Sequence, residues 1–258
     1  MLIRKLLPCL LMAATLLSVS ALAADKKIIL IAGKPSHGTG EHEFRAGCLL
    51  LQKCLSSVPG LTVEVCDNGW PKDAAELDGA AAVVLYADGG GGHPYFQADH
   101  AQVIEKLARQ GVGLGFLHYA VEVPKGPAGE RMWEWIGGYY EDHYSCNPMW
   151  TPSYQAFPNH PITRGIQPFS VKDEWYFNMR WRSDTNGLTY ILVAKPSDAV
   201  RNGPYVWPSG PYPHIQAAKG REEAMLWVRE RQDGGRGLAG QVATIIRIGA
   251  TTTTARWS

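Results

Sequence analysis

His118 closes an apolar run, "GVGLGFLH" (residues 111–118), and Glu122 follows four positions later. An imidazole that emerges from a dry strand into a polar loop can titrate near neutral pH. A carboxylate at i+4, on the same face of a starting helical turn, would share its proton and tune it. This pair is the candidate general acid/base, although a histidine at a strand end serves equally as a hydrogen-bonded structural residue. Tyr119 follows directly and is expected beside the same site. A second cluster, His37, Glu41, His42 and Glu43, lies in "PSHGTGEHEF". Its imidazoles and carboxylates suit a hydroxyl-rich substrate or a divalent metal, but their spacing matches no specific metal motif. Glu41 and Glu43 equally suit a helix N-terminus. "DGGGGHP" supplies Asp88, Gly90 and His93. Its backbone N–H groups could hold an oxyanion or a sugar hydroxyl, and it is not a G-x-x-x-x-G-K-[ST] phosphate loop. Asp173 and Glu174 stand beside aromatic residues in "DEWYF", a pairing found in carbohydrate sites and also in ordinary packed surface strands.

These residues need a scaffold that brings distant loops together. "KKIILIAG", "AAVVLYA" and "VGLGFLH" read as buried strands, and "LTVEVC" as another. "EFRAGCLLLQKCLSS" and "FQADHAQVIEKLARQG" read as amphipathic helices, and "ERMWEWIGGYY" as a short aromatic one. "TYILVAKP" and "AMLWVRE" are further strands. The alternation predicts an α/β fold: an open, mostly parallel sheet with helices on both faces and right-handed connections. Ligands of such sheets sit beyond the carboxyl ends of the strands. The loops after the first, third and fourth strands should therefore share a crevice centred on His118.

At 258 residues and 45% hydrophobic content the chain can bury one sizeable core, so a single domain is expected. A formal net charge of +1 without a Lys/Arg run offers no field for nucleic acid, which is not expected as a partner. Residues 1–23 read as a secretory signal peptide: Arg4 and Lys5, an apolar run, then small residues at Ala21 and Ala23. The run is short for a membrane span, so a secreted or periplasmic protein without a stable membrane anchor is expected. Cys48, Cys54, Cys66 and Cys146 show no metal spacing. Cys48 and Cys54, six apart on a helix, point away from each other; pairing of either with Cys66 stays open beside the reading as small buried hydrophobes.

The segments "IILIAGKPSHGTGEHEF", "VVLYADGGGGHP", "GVGLGFLHYAVEVPKG", "WIGGYYE", "HPITRG", "DEWYF" and "WVRERQDGGRG", in this order over residues 27–237, resemble the ThuA-like family. That family is named for a trehalose-utilisation protein and is related in fold to class I glutamine amidotransferases. The resemblance implies one ThuA-like domain over residues 25–237 with an amidotransferase-like, flavodoxin-like sheet. Where amidotransferases present a nucleophilic cysteine, this chain presents His118. An imidazole does not replace a thiolate in glutamine hydrolysis, so amidotransferase activity is not expected. The implied function is carbohydrate utilisation on trehalose, a related glycoside or a keto-sugar. His118 would be the general acid/base and Glu122 its tuning partner, with His37, His42, Glu43, Asp88, Gly90, His93, Tyr119, Asp173 and Glu174 around the substrate. The competing class is a non-catalytic sugar-binding module. No cofactor is identified by the motifs; a divalent metal is compatible with them, and oligomeric state is not legible.

After "DGGRG" the family continues with a segment like "FGWTGGHYH" and later "WGNDDYR", whereas this chain reads "LAGQVATIIRIGATTTTARWS". Losing one T from the codons TTT GGC TGG ACA yields Leu238, Ala239, Gly240 and the start of Gln241, and the same shift later yields Gly249, Ala250 and the four threonines. Residues 238–258 are therefore read as an atypical, frameshifted tail, arising from a sequencing error or from a real lesion, the latter disrupting the C-terminal part of the fold. The coding DNA decides this.

Overall fold

The computed structural model describes residues 25–241. Residues 1–24, where a signal peptide is expected, and the tail beyond Gln241 lie outside the described residues. The chain forms β1 (Lys26–Ala32), α1 (Phe44–Leu55), β2 (Leu61–Cys66), β3 (Ala80–Tyr86), α2 (His100–Arg109), β4 (Gly113–Leu117), α3 (Pro127–Trp135), β5 (Leu188–Ala194), β6 (Glu223–Glu230) and β7 (Arg236–Gly240). The strands make one sheet in the order β5-β6-β7-β4-β3-β1-β2, with β6 antiparallel to both neighbours and the other pairings parallel. The expected α/β architecture is present. Among the described residues no helix is long and apolar enough to cross a membrane.

The period-two geometry of a strand explains why β1 reads as an unbroken apolar run. Ile29 and Ile31 point to one face, where α2 and α3 contribute Leu107, Met132 and Trp135; Leu30 and Ala32 point to the other, against Phe44 and Cys48 of α1. A third cluster packs Trp175, Tyr154, Tyr205 and Ile215 on the β5–β6 end of the sheet. An apolar cavity of about 550 Å³ lies on the α1 side, bordered by Leu30, Leu55, Leu117, Ile166 and Leu238.

Two helix expectations are corrected. The helix predicted over "FQADHAQVIEKLARQG" begins only at His100, because Ala98 takes a left-handed φ of 49° that a helix cannot contain. Phe96 instead lies in a separate 3₁₀ turn and stacks on Trp135 with ring centroids 5.9 Å apart. The aromatic helix ends at Trp135; Gly137, at φ 84°, turns the chain so that Gly138–Tyr139 form a short strand with Arg180–Trp181. The four described cysteines are free, and all but Cys54 are buried. The expectation of a disrupted C-terminus also needs correction for its first residues. Leu238, Ala239 and Gly240 complete β7 between β4 and β6, and Ala239 is fully buried.

The "WVRERQDGGRG" segment has a structural role in clamping helix ends. Arg229 donates to the carbonyls of Trp133 and Glu134 at the end of α3. Arg231, whose side chain is 3% exposed, donates to the carbonyls of Ala108 in the last turn of α2 and Val112 just beyond it, at 3.1 and 2.7 Å, and pairs with Asp233 at 3.1 Å. Unsatisfied C-terminal carbonyls carry partial negative charge, so a buried guanidinium there satisfies both hydrogen bonding and the helix dipole. Replacing Arg231 by Met leaves the Val112 carbonyl without this donor and removes the ion pair of Asp233, while Ala108 O keeps the Gly111 N–H. A loss of about 3 kcal/mol is expected, read as a thermal midpoint lowered by roughly 6–12 °C. An unchanged melt would show that the clamp contributes nothing.

Candidate functional site

With β2 on one side of β1 and β3 on the other, the crossover direction reverses at β1–β3, the place where open α/β sheets hold ligands. The loop after β1 carries His37 and His42, the loop after β3 carries Asp88, and the chain leaving β4 passes directly into a 3₁₀ turn, His118–Val121. A fourth contribution comes from the short strand Asp173–Glu174, paired antiparallel with Met149–Trp150. The β1 loop, the His118 turn and the Asp173–Glu174 strand border a cleft of about 470 Å³, with Tyr119, Glu122 and Trp207 also in its wall, whereas Asp88 of the β3 loop borders an adjoining cavity, which corrects the expectation that all three loops share one crevice.

Three side chains converge at its floor. His118 Nε2 lies 2.9 Å from His42 Nε2 and 3.4 Å from Glu174 Oε2, and His42 Nε2 lies 3.5 Å from the same oxygen. His118 and Glu174 are each held from behind by a hydrogen bond. His118 Nδ1–H donates to Gln241 Oε1 at 2.5 Å, and the Tyr176 ring packs against the imidazole at 4.8 Å between centroids. Glu174 Oε1 accepts from Asn147 Nδ2 at 2.8 Å. The His37 ring lies 4.0 Å from that of His42. Burial, then the neighbouring His42, lower the pKa of His37. Burial alone would raise the Glu174 carboxyl, but hydrogen bonds and charge from His118 and His42 outweigh it and hold the pKa down to about 2.

His118 and His42 both have positive φ, 52° and 45°, uncommon for residues with a side chain. Such conformations persist only where surrounding structure over-determines them, and they gather at functional sites. At His118 the over-determination is visible: Gly89 is packed so closely under the turn that a Cβ there would collide with the Tyr119 carbonyl and lie 2.8 Å from Glu122 Cβ.

Glu122 lines the same cleft but makes no hydrogen bond to His118; the carboxylate in that place is Glu174. A 3₁₀ turn advances three residues per revolution, so positions four apart do not share a face as they would on an α-helix. Burial first, then the charges of Asp142 and Glu174, push the Glu122 pKa up to about 8. It is a protonated, half-buried carboxyl at neutral pH.

Other expected site residues take supporting places. His93 is fully buried, donates from Nε2 to the Ala120 carbonyl at 3.0 Å and accepts at Nδ1 from Tyr95 N at 3.2 Å. Burial lowers its pKa to about 4. The expectation that His93 meets substrate is corrected: it is a neutral brace joining the glycine loop to the His118 turn. Glu43 is exposed and accepts from Gly40 N at 2.8 Å, closing its own loop instead of entering the cleft. Asp88 accepts from Ser36 Oγ at 2.8 Å and sits 3.6 Å from His37, facing an adjoining smaller cavity. Gly90 N donates to the Glu122 carbonyl at 3.0 Å, so it holds the turn. Asp173 borders the cleft and accepts from Glu174 N at 2.7 Å.

Sequence reasoning missed Asn147, Tyr176, Trp207 and Gln241. Trp207 is 75% exposed at the cleft, its backbone N–H bound to Asn147 Oδ1 at 3.2 Å. For Trp207 the sequence offers only the residue type among other tryptophans, and Gln241 lies in the segment read as a displaced tail.

The family model described as trehalose utilisation, ThuA, matches residues 29–237. Among solved structures, a ThuA-like protein from Bacteroides uniformis superposes with a TM-score of 0.56 at 15% identity, covering 85% of this chain and 82% of that one. One from Parabacteroides merdae gives 0.54 at 14% identity, covering 84% and 79%. At such identity the likeness concerns the fold. No curated protein sequence matches. With the match running through the His42 loop, the His118 turn and the Glu174 strand, the chain belongs to the ThuA trehalose-utilisation family.

Proposed function

We propose that this protein is an exported enzyme of carbohydrate utilisation, acting on trehalose, a related glycoside or a keto-sugar in the His118 cleft. The observation that carries the reading is the composition of that cleft: a convergent imidazole–imidazole–carboxylate centre, a neutral carboxyl at Glu122, and the exposed indole of Trp207 within one cavity. Sugars present hydroxyls that carboxylates and imidazoles recognise, and C–H faces that an indole covers. The basic atom of His118 is Nε2, at the cleft floor beside His42 and Glu174, because Nδ1–H is committed to Gln241. Glu122 is the proton donor, its proton retained by burial at neutral pH. The absence of a thiol at position 118 argues against glutamine hydrolysis. Residues 1–23 serve as the export signal in this reading.

The test is a panel of disaccharides and their keto derivatives, followed for both turnover and binding. Conversion of at least one sugar is expected. Binding with every sugar returned unchanged would contradict the enzymatic assignment and leave a sugar-binding module.

A further inference from the structure

The three atoms at the cleft floor pose a bonding problem that a proton does not solve. His118 gives its Nδ1–H to Gln241, which makes Nε2 the lone-pair atom of the imidazole form. Glu174 takes the Asn147 N–H on Oε1 and turns Oε2, also lone-pair bearing, toward the imidazoles. His42 brings its Nε2 to within 2.9 Å of His118 Nε2 while its Nδ1 is buried without a partner. One proton on His42 satisfies the short edge and leaves the carboxylate at 3.5 Å, a poor hydrogen bond. A cation at the centre satisfies all three edges at once.

We propose that His42 Nε2, His118 Nε2 and Glu174 Oε2 form a binding site for one divalent first-row metal ion, of the zinc or iron(II) class. Ligand atoms about 2.0–2.1 Å from a tetrahedral ion stand about 3.3 Å from each other. The observed separations are 2.9, 3.4 and 3.5 Å. Two imidazoles with one carboxylate favour such ions over calcium or magnesium, which prefer oxygen alone. The backing contacts are those that metal sites use: Gln241 fixes the tautomer and aim of His118, and Asn147 fixes the carboxylate. Side-chain exposures of 3% for His118, 14% for His42 and 13% for Glu174 show a site closed behind and open only toward the cleft. Three protein ligands with an open position form a catalytic type of centre, which would polarise a sugar oxygen or a water. This rests on the carbohydrate reading and changes one role in it, because a His118 Nε2 that holds a cation is a ligand and no longer the base; it needs no substrate to be tested.

The full chain, stripped with a chelator, is titrated with Zn2+ alone by calorimetry and with Co2+ alone by visible absorption. One equivalent is expected, together with a raised thermal midpoint and affinity that falls as acid protonates the imidazoles. His42→Asn, His118→Asn and Glu174→Gln each weaken binding more than about 100-fold, and Asn147→Ala by about 10- to 100-fold. Asn suits the left-handed backbone at positions 42 and 118, and His143→Asn, at φ 60° outside the cluster, is the matched control that retains binding. The thermal melts of metal-free variants separate ligand loss from misfolding. Sub-stoichiometric uptake, or uptake indifferent to all three ligand variants, overturns the site. Metal uptake without turnover of any sugar leaves the site standing and removes the enzymatic reading; turnover that survives complete metal removal without metal uptake does the reverse.

Discussion

His118→Asn is expected to lower kcat/KM for the carbohydrate substrate by about 10²- to 10⁴-fold, the range that a positioned acid–base or charge-holding group supplies. Asparagine is chosen because His118 sits at φ 52°, a conformation it tolerates and alanine does not relieve. The fold should survive, since the ring is one member of a wall that also includes Tyr176 and Leu117, both buried. The loss should fall on kcat. A rise in KM with kcat unchanged would mean that His118 only helps to hold the sugar.

Glu122→Gln is expected to reduce turnover by about 10²-fold while keeping sugar affinity, because the amide copies a neutral carboxyl but has no proton to give. The same substitution has a pH signature. Folding raises the Glu122 pKa from an ordinary 4.5 to about 8, with Asp142, Glu174 and the Tyr119 phenol as its titratable neighbours. A group raised in the folded state stabilises fully below its unfolded pKa, and that contribution disappears as pH rises through the folded one. Chelator-treated wild type should therefore lose thermal stability between about pH 4.5 and 8, and the Gln variant should lack that decline. In turnover, the donor disappears as pH passes about 8. A cation beside Glu174 would offset that carboxylate and move the limb downward. Parallel melts of the two proteins across this range, superimposing at every pH, would sink the assignment of a raised pKa to Glu122.

The parts of this site that could be read from the chain are those fixed by strand ends. "KKIILIAG", "AAVVLYA" and "VGLGFLH" announce where β1, β3 and β4 stop, and a parallel sheet then forces His42, Asp88 and His118 to one edge. Glu174 was visible through its residue type and aromatic neighbours. What escaped were contacts made over long separations. Gln241 lies 123 residues from the His118 that it orients, and Asn147 lies 27 from Glu174, with no periodicity to link them. Spacing rules also misled where local geometry was unusual. The i+4 reading of His118 and Glu122 assumed an α-turn, and the 3₁₀ turn gives the carboxylate partner's place to Glu174. At His93, a polar residue in a glycine loop looked like a ligand contact, yet burial and two backbone bonds make it part of the frame.

The most direct test of a single working centre is a kinetic cycle on the sugar that the panel identifies, comparing His42→Asn, Glu174→Gln and the double variant. Groups that act as one unit lose their function together, so the double variant should be no slower than the worse single one within about threefold. Losses that multiply independently, or a double variant that turns over like wild type, would show that these side chains do not form the reacting centre.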